Sequence, residues 1–235
     1  MIIYEGPSAL DGAPIVAIVL AGRSTNSKTG AMVQTYILRA DMAPIDAVKA
    51  GADVSICGDC PHRGPARTCY VNLGHGPRAV YDAYRRGIYP RVTVGDAARA
   101  VAGRLVRLGT YGDPAAIDVS IWARLVANAK GHTGYTHQWR ARPEFRGIVM
   151  ASADNETDAR DAHDMGWRTF RVAMPGAPAR LANEAICPAS AEAGKKLQCA
   201  DCLACSGASG GRRGSIVIRA HGSSAVMANV RRSAA

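Results

Sequence analysis

Several features that would assign a common function are missing from this 235-residue sequence. No apolar run approaches the roughly 18 residues of a membrane-spanning helix, and the continuous run at 15–22 is far too short. The stretch Met1–Glu5 lacks the basic segment and cleavage site of a secretory signal peptide. The Rossmann glycine fingerprint, the nucleophile elbow and the metalloprotease helix motif are also absent. We therefore expect neither a membrane protein, nor an exported protein, nor a member of those enzyme classes.

A disulfide framework is not expected either. The chain has seven cysteines, an odd number, and no export signal, which predicts a reducing, cytoplasmic environment. At 235 residues it can bury a sizeable core, so the cysteines are not needed as staples. With 48% hydrophobic and 20% charged residues, the composition is that of an ordinary soluble globular protein.

The cysteines that are present fall into two groups. Two thiolates separated by two residues can bind one metal ion, because the intervening turn points both sulfurs the same way. Three cysteines at intervals of three, with a more distant fourth, form a spacing that iron–sulfur clusters use and that zinc also tolerates. The spacing therefore predicts metal or cluster binding by both groups. The first group is Cys57, Cys60 and Cys69, and the second is Cys187, Cys199, Cys202 and Cys205.

The identity of the metal stays open at this point. A structural zinc ion in the first group needs a fourth ligand, for which His62 or His75 is available. A four-iron cluster held by three cysteines instead leaves one iron open to a small molecule. The second group can close a site with four thiolates, around either a cluster or the zinc of a knuckle. Cys187 could also cross over to the first group, so the pairing of cysteines is a hypothesis.

The formal net charge of +10 favours an anionic partner such as nucleic acid. Two observations temper that interpretation. Metal-bound cysteines are thiolates, which the formal count treats as neutral. The arginines are also spread along the chain, as on an ordinary solvated surface.

Strand and helix patterns alternate along the chain. Ile15–Ala21 and Met32–Arg39 flank a turn-rich loop, which predicts an N-terminal β-hairpin. The apolar stretch Ala52–Ile56 is predicted as a strand that delivers the first cysteines into a loop. Strands and helices then alternate at least four times, which predicts an α/β fold with a parallel sheet, open or closed.

We expect one compact unit with three segments. Residues 1–51 form the hairpin and a helix packed on the core, and 52–186 form the core itself. Residues 187–235 form a cysteine-rich, cluster-binding segment followed by a last strand and a frayed tail.

The order of elements around the first cysteines resembles the radical S-adenosylmethionine (SAM) superfamily. That family has a three-cysteine loop after the first barrel strand and a Gly-Gly-Glu-Pro type segment after the second. Gly112, Asp113 and Pro114 match the last part of this segment, with Asp in place of Glu and Tyr111 in place of the first Gly. The cysteines are spaced by two and then eight residues here, against three and then two in the family. The likeness covers about residues 52–175, and the overall style also resembles uncharacterised bacteriophage proteins with cysteine-bearing barrels.

The resemblance implies a partial (β/α) barrel of about six mostly parallel strands. It implies a four-iron (4Fe-4S) cluster on the first cysteine group, SAM as a cofactor, and an auxiliary cluster on the second group. Asp113 would accept a hydrogen bond from the SAM ammonium, whereas turn statistics make it a turn residue before proline. Tyr135 and His137 would line the cofactor and substrate cavity, although aromatic residues near a sheet often simply pack.

The leading hypothesis is thus an iron–sulfur enzyme that cleaves SAM reductively, supplied with electrons by a reductant protein. One alternative is a zinc-stabilised nucleic-acid-binding protein without catalysis. Another is an iron–sulfur protein that only transfers electrons or senses redox state. If the chain is phage-encoded, the expected location is the host cytoplasm.

Overall fold

A computed structural model describes residues 1–22, 24–194, 197–208 and 214–233. It has a mixed α/β architecture with two five-stranded sheets. The strands are β1 (Ile2–Pro7), β2 (Pro14–Leu20), β3 (Val33–Arg39), β4 (Leu105–Tyr111), β5 (Gly131–Thr133), β6 (Tyr135–Thr136), β7 (Met150–Ala153), β8 (Thr169–Ala173), β9 (Glu184–Ile186) and β10 (Ser215–Arg219). The α-helices are α1 (Pro44–Lys49), α2 (Val54–Cys57), α3 (Gly76–Arg85), α4 (Val94–Ala100), α5 (Val119–Val126), α6 (Glu156–Asp164), α7 (Cys199–Cys202) and α8 (Ser224–Ser233). None of these helices is long and apolar enough to cross a membrane.

The first sheet confirms the predicted hairpin. Its order is β1-β2-β3-β4-β5, with β2 antiparallel to both β1 and β3. The β2 strand pairs with β3 in an unbroken register from Ile15 opposite Arg39 to Leu20 opposite Gln34. β3, β4 and β5 are parallel, and the connection from β3 to β4 carries the first cysteine group. The edge strand β1 was not predicted.

The second sheet is entirely parallel, with the order β6-β7-β8-β10-β9. Only Gly134 separates β5 from β6, so one short stretch of chain belongs to both sheets. A Cβ at Gly134 would lie 2.6 Å from Val149 Cγ1, which leaves no room for a side chain at this junction. The Gly134 amide donates to the carbonyl of Cys205 at 3.0 Å, so the junction also anchors the second cysteine group.

The prediction of a strand at Ala52–Ile56 is wrong. The Cys57 amide donates to the Asp53 carbonyl at 2.9 Å and the Gly58 amide to the Val54 carbonyl at 2.8 Å, which makes this segment the helical turn α2. A five-residue apolar run has no periodicity that separates a buried strand from a buried helix. Cys57 is therefore the last residue of a helical turn.

The C-terminal segment also differs from expectation, because α8 occupies residues where a frayed tail was predicted. The predicted segment 187–235 includes residues 195–196, 209–213 and 234–235, which lie outside the described residues.

The core has two parts. The larger cluster packs the first sheet against helices α3 to α5 and buries Trp122, Trp139 and Phe145 almost completely. Truncating one such aromatic residue typically costs about 3–5 kcal/mol. The smaller cluster lies on the second sheet and includes Cys187 and Cys205 among its buried residues. Two of the predicted ligands are therefore part of the apolar packing.

Candidate metal centre

All seven cysteines line one cavity of about 280 Å³. None of them is in a disulfide. Four separate parts of the chain bring them there: the turn after α2, the loop before α3, the end of β9 and the turn around α7. The two sequence groups thus open onto a common space.

The first group is held by a tight turn. The Cys60 amide donates to the Cys57 carbonyl at 3.3 Å, and the Cys69 amide donates to the His62 carbonyl at 3.0 Å. Gly58 has a φ of +58°, a conformation that residues with a side chain rarely adopt. These contacts direct the three thiols into the cavity from a loop that otherwise has little regular structure.

The thiols of the first group influence one another electrostatically. Burial raises the pKa of Cys57 well above its usual value, and nearby Cys60 and Cys69 raise it further. Burial also raises the pKa of Cys69, and Cys60 adds to the effect. The buried thiols of Cys57 and Cys69 become stable thiolates more readily beside a cation, which is the electrostatic setting of a metal site.

The hairpin loop between β2 and β3 holds the second group. The amide of Cys199 donates to the Lys28 carbonyl at 2.9 Å, and the amide of Ala200 donates to the Thr29 carbonyl at 3.2 Å. Leu203 has a φ of +51°, which reverses the chain between Cys202 and Cys205. The loop predicted only as a hairpin connection therefore fixes α7.

Cys187 lies with the second group. Its pKa is raised by burial and by the nearby Cys199 and Cys202. Burial raises the pKa of Cys205 to about 12, with further contributions from Cys187 and Cys199. Cys187 therefore has Cys199 and Cys202 among its nearby thiols.

Two cations accompany the second group. Arg107, in the middle of β4, is buried, and its guanidinium lies 4.3 Å from the centre of the Tyr135 ring. Burial alone would lower the pKa of Arg107, but Tyr135, Tyr70 and Cys199 raise it overall. Among the described residues, no carboxylate lies within 4.0 Å of Arg107.

Lys28 is the second of these cations. Burial lowers the pKa of Lys28, an effect that Cys187 and Cys199 partly oppose. Its Nζ lies 3.1 Å from His221 Nε2. Four thiolates around a doubly charged ion or cluster core carry a net charge of about −2, which two cations balance.

The spacing of the sulfurs bears on the choice of metal. Ligands at about 2.3 Å from a single tetrahedral zinc ion lie about 3.8 Å from one another. Within the described part of the chain, no three cysteine sulfurs all lie within 4.8 Å of one another. Three thiolates of either group would therefore have to move closer together to share one zinc ion.

Residues 112–114 follow strand β4 and are hydrogen-bonded to the segment just before the first cysteines. Asp113 is buried, and its carboxylate accepts hydrogen bonds from the amides of Ala115 at 2.9 Å and His137 at 2.8 Å. Its own amide donates to the Ile56 carbonyl at 2.6 Å. Burial raises the pKa of Asp113, and these hydrogen bonds oppose the rise. This geometry is that of a structural turn residue at the cavity wall.

The neighbours of Asp113 differ in their positions. Gly112 lines the cavity with a φ of +82°, and a Cβ there would lie 2.7 Å from Ile37 Cβ. Pro114 is buried behind the wall, and its carbonyl accepts a hydrogen bond from Trp122 Nε1 at 2.8 Å. Two of the three motif residues thus face the cavity.

Tyr135 and His137 line the cavity on different sides. Tyr135 stacks on Phe170 with ring centres 4.2 Å apart, and its pKa is raised well above its usual value by burial and by the nearby Cys205 of the second group. His137 Nε2 lies 3.7 Å from Cys60 Sγ of the first group. Tyr135 therefore lies beside the second cysteine group, and His137 lies beside the first.

The two histidines available as a fourth ligand of the first cysteine group lie in different places. His62 lines the cavity, and its Nε2 lies 2.8 Å from Asp154 Oδ1. His75 instead lines a separate depression beside Met1 and Tyr36. The sequence did not predict Asp154 as the partner of His62, and it did not predict Arg107 beside the second cysteine group. An arginine between apolar residues of a predicted strand was the one signal that marked Arg107.

Asp154 and His137 each shift the pKa of the other. Burial raises the pKa of Asp154, but the contacts with His137 and His62 outweigh it and hold that pKa far below its usual value. Burial lowers the pKa of His137, but Asp154 and Cys60 outweigh it and raise that pKa well above normal. The carboxylate is thus ionised beside the first cysteine group.

Comparison with protein-family models, with curated proteins and with solved structures finds no match to this chain.

Proposed function

We propose that this protein is an iron–sulfur enzyme with one cluster on each cysteine group, and that it cleaves SAM reductively. The observation that carries the proposal is the convergence of all seven cysteines on one cavity. The spacing of the sulfurs supports a multi-iron cluster over a single zinc ion. The substrate of the enzyme shares that cavity.

Tyr111 provides independent support for a bound group. Its hydroxyl is buried and has no hydrogen-bond partner among the residues that the structure describes, and the side chain lines the cavity. Burial raises the pKa of Tyr111, and nearby Cys57 and Cys69 raise it further. A buried hydroxyl without a partner typically costs about 1–3 kcal/mol. An acceptor beside the first cysteine group, such as a cluster sulfide or a ligand atom, would remove that cost.

The roles of the protein residues follow from their positions. Cys57, Cys60 and Cys69 would hold a cluster with one open iron, and the second group would close the other cluster with four thiolates. A reduced cluster of the first kind supplies the electron that breaks a carbon–sulfur bond of SAM. Asp113 would fix the wall against which SAM lies, since both its carboxylate oxygens already bind backbone amides.

The proposed architecture is a partial (β/α) barrel. The parallel strands of the two sheets continue into each other through Gly134, and the cavity is lined by residues from both sheets. A barrel segment that encloses the cavity would place the loops after β3, β4 and β6 around it. These loops carry the first cysteines, Gly112 and His137.

Anaerobic purification and metal analysis test the proposal. We expect brown protein with absorbance near 400 nm and about eight irons, four for each cluster. After reduction it should convert SAM to methionine and 5′-deoxyadenosine, measured by chromatography. Zinc-containing, colourless protein would overturn the iron–sulfur assignment.

A cluster-replete protein that never cleaves SAM would instead be a redox protein. The structural role of the Asp113 carboxylate favours this second candidate, because that carboxylate is not free for the SAM ammonium. Adding SAM to the reduced protein and recording electron paramagnetic resonance (EPR) spectra separates the two. Only an open-iron cluster that binds SAM should change its spectrum.

A further inference from the structure

Three side chains that bear metal-binding atoms meet beside the first cysteine group. His62 comes from the cysteine loop, His137 follows β6, and Asp154 follows β7. The ligand atoms of these three residues all lie within 4.8 Å of one another. His62 Nε2 lies 2.8 Å from Asp154 Oδ1, and His137 Nε2 lies 3.4 Å from Asp154 Oδ2. Their side chains are only 17–20% exposed.

The surroundings of His137 Nε2 do not fit a simple hydrogen-bond network. This nitrogen faces Asp154 Oδ2 at 3.4 Å and Cys60 Sγ at 3.7 Å. The first distance exceeds the 2.7–3.2 Å of an ordinary N–H···O hydrogen bond. Two ligands bonded to one tetrahedral ion at about 2.0–2.3 Å lie about 3.3–3.8 Å apart. The distance from His137 Nε2 to Asp154 Oδ2 therefore matches the separation of two ligands that share one ion, whereas Cys60 belongs to the first cysteine group.

The histidines are also oriented as metal ligands are. His62 Nδ1 lies 2.9 Å from Thr68 Oγ1, which fixes the ring while Nε2 faces the carboxylate. The backbone amide of His137 donates to Asp113 at 2.8 Å, which fixes the start of the turn that carries it. A hydrogen bond to the far ring nitrogen, as His62 has, is typical of histidines that bind a metal ion.

We propose that His62, His137 and Asp154 hold one divalent transition ion, zinc or ferrous iron, separate from the cysteine clusters. Imidazole and carboxylate ligands suit both ions, and two histidines with one carboxylate leave coordination positions open. His62 and His137 line the cavity, so an open position would face whatever binds there. The ion would act as a Lewis acid on a bound oxygen ligand. This site extends the proposed function and does not depend on it.

Zinc titration of the anaerobic protein, after its cysteine sites are filled with iron and sulfide, tests the inference. We expect one further equivalent of zinc to bind, measured by competition with a chelator of known affinity. Asp154→Asn should weaken that binding at least tenfold while the iron and sulfide content stays unchanged. Asp161→Asn, on helix α6 seven residues further along the chain and 45% exposed, is the matched control and should bind zinc like the wild type.

Two outcomes would overturn the site. Wild-type protein that takes up no zinc beyond its cysteine sites would do so, as would equal zinc affinity in Asp154→Asn. His62→Gln gives a second test if Asp154→Asn lowers the melting temperature. A protein whose cysteine sites accept only zinc would refute the proposed function, but the difference between wild type and Asp154→Asn would still decide this inference.

Discussion

Gln138 lies directly over Gly58 in the middle of the first cysteine turn. Its side-chain amide nitrogen donates to Asp59 Oδ1 at 2.7 Å and to the Cys57 carbonyl at 3.3 Å. A Cβ at Gly58 would lie 2.2 Å from that nitrogen. A residue about 80 positions away in the sequence therefore closes the turn that carries Cys57 and Cys60.

Replacing Gly58 should disrupt the first site. We expect Gly58→Ala to lower the free energy of unfolding by about 1–3 kcal/mol, because of the positive φ and the collision with Gln138. It should also reduce metal binding by the first cysteine group, measured as iron per chain. Gly51→Ala is the control, since Gly51 also has a positive φ, +71°, but no atom of the described part of the chain would lie within 4 Å of an added Cβ. Equal iron content in Gly58→Ala and Gly51→Ala would contradict the proposed role of the turn.

The two cysteine groups should load independently. The double substitution Cys57→Ser and Cys69→Ser should remove about half of the bound iron, because each group provides ligands for one four-iron cluster. Cys199→Ser with Cys202→Ser should remove the other half. Iron and sulfide analysis with EPR of the reduced protein checks this, and each double variant is the control for the other. Complete loss of iron in either variant would mean that the groups share one cluster.

Arg107 should raise the reduction potential of the second cluster. It is buried beside Cys199, and its charge favours the more negative, reduced state. We expect Arg107→Met to lower the midpoint potential of the second cluster and leave the first unchanged, as followed by EPR in a redox titration. Arg104→Met is the control, because the Arg104 side chain donates to the Ala21 carbonyl away from the cysteines. Unchanged potentials in Arg107→Met would refute this role.

The second sheet depends on a fully buried ion pair. Arg171 on β8 and Glu184 on β9 form two hydrogen bonds of 2.7 Å, and both side chains are 0% exposed. Glu184→Gln leaves the arginine charge uncompensated, and we expect a loss of about 3–5 kcal/mol in denaturant unfolding. The combination Arg171→Met with Glu184→Leu should cost less than Glu184→Gln alone.

The exposed pair of Arg39 and Asp41 is the control for this experiment. Asp41 is 49% exposed, and exposed ion pairs contribute about 0–1 kcal/mol. Asp41→Asn should therefore change the unfolding free energy far less than Glu184→Gln. Similar losses in both variants would show that burial is not what makes the Arg171 contact important.

Local patterns predicted much of the fold. The hairpin of β2 and β3 follows from two β-rich segments around a turn-rich loop. Asn155, a residue type that favours helix N-termini, caps α6 by accepting a hydrogen bond from the amide of Asp158. The segment Ala52–Ile56 failed because its length fits either a strand or a helical turn. Its final state depends on the contact between the Ile56 carbonyl and the Asp113 amide, which no local pattern contains.

The sequence by itself determined that Cys57 lies near Cys60, and that Cys199, Cys202 and Cys205 lie near one another, because such short spacing limits how far apart the thiols can be. Only the tertiary structure decided that both groups open onto one cavity and that Arg107 accompanies one of them. It alone brought Asp154 to His62 and His137 to Cys60, across separations of 92 and 77 residues. Such contacts depend on how the two sheets pack at the crowded junction around Gly134. Packing between distant segments leaves no periodic pattern in the sequence.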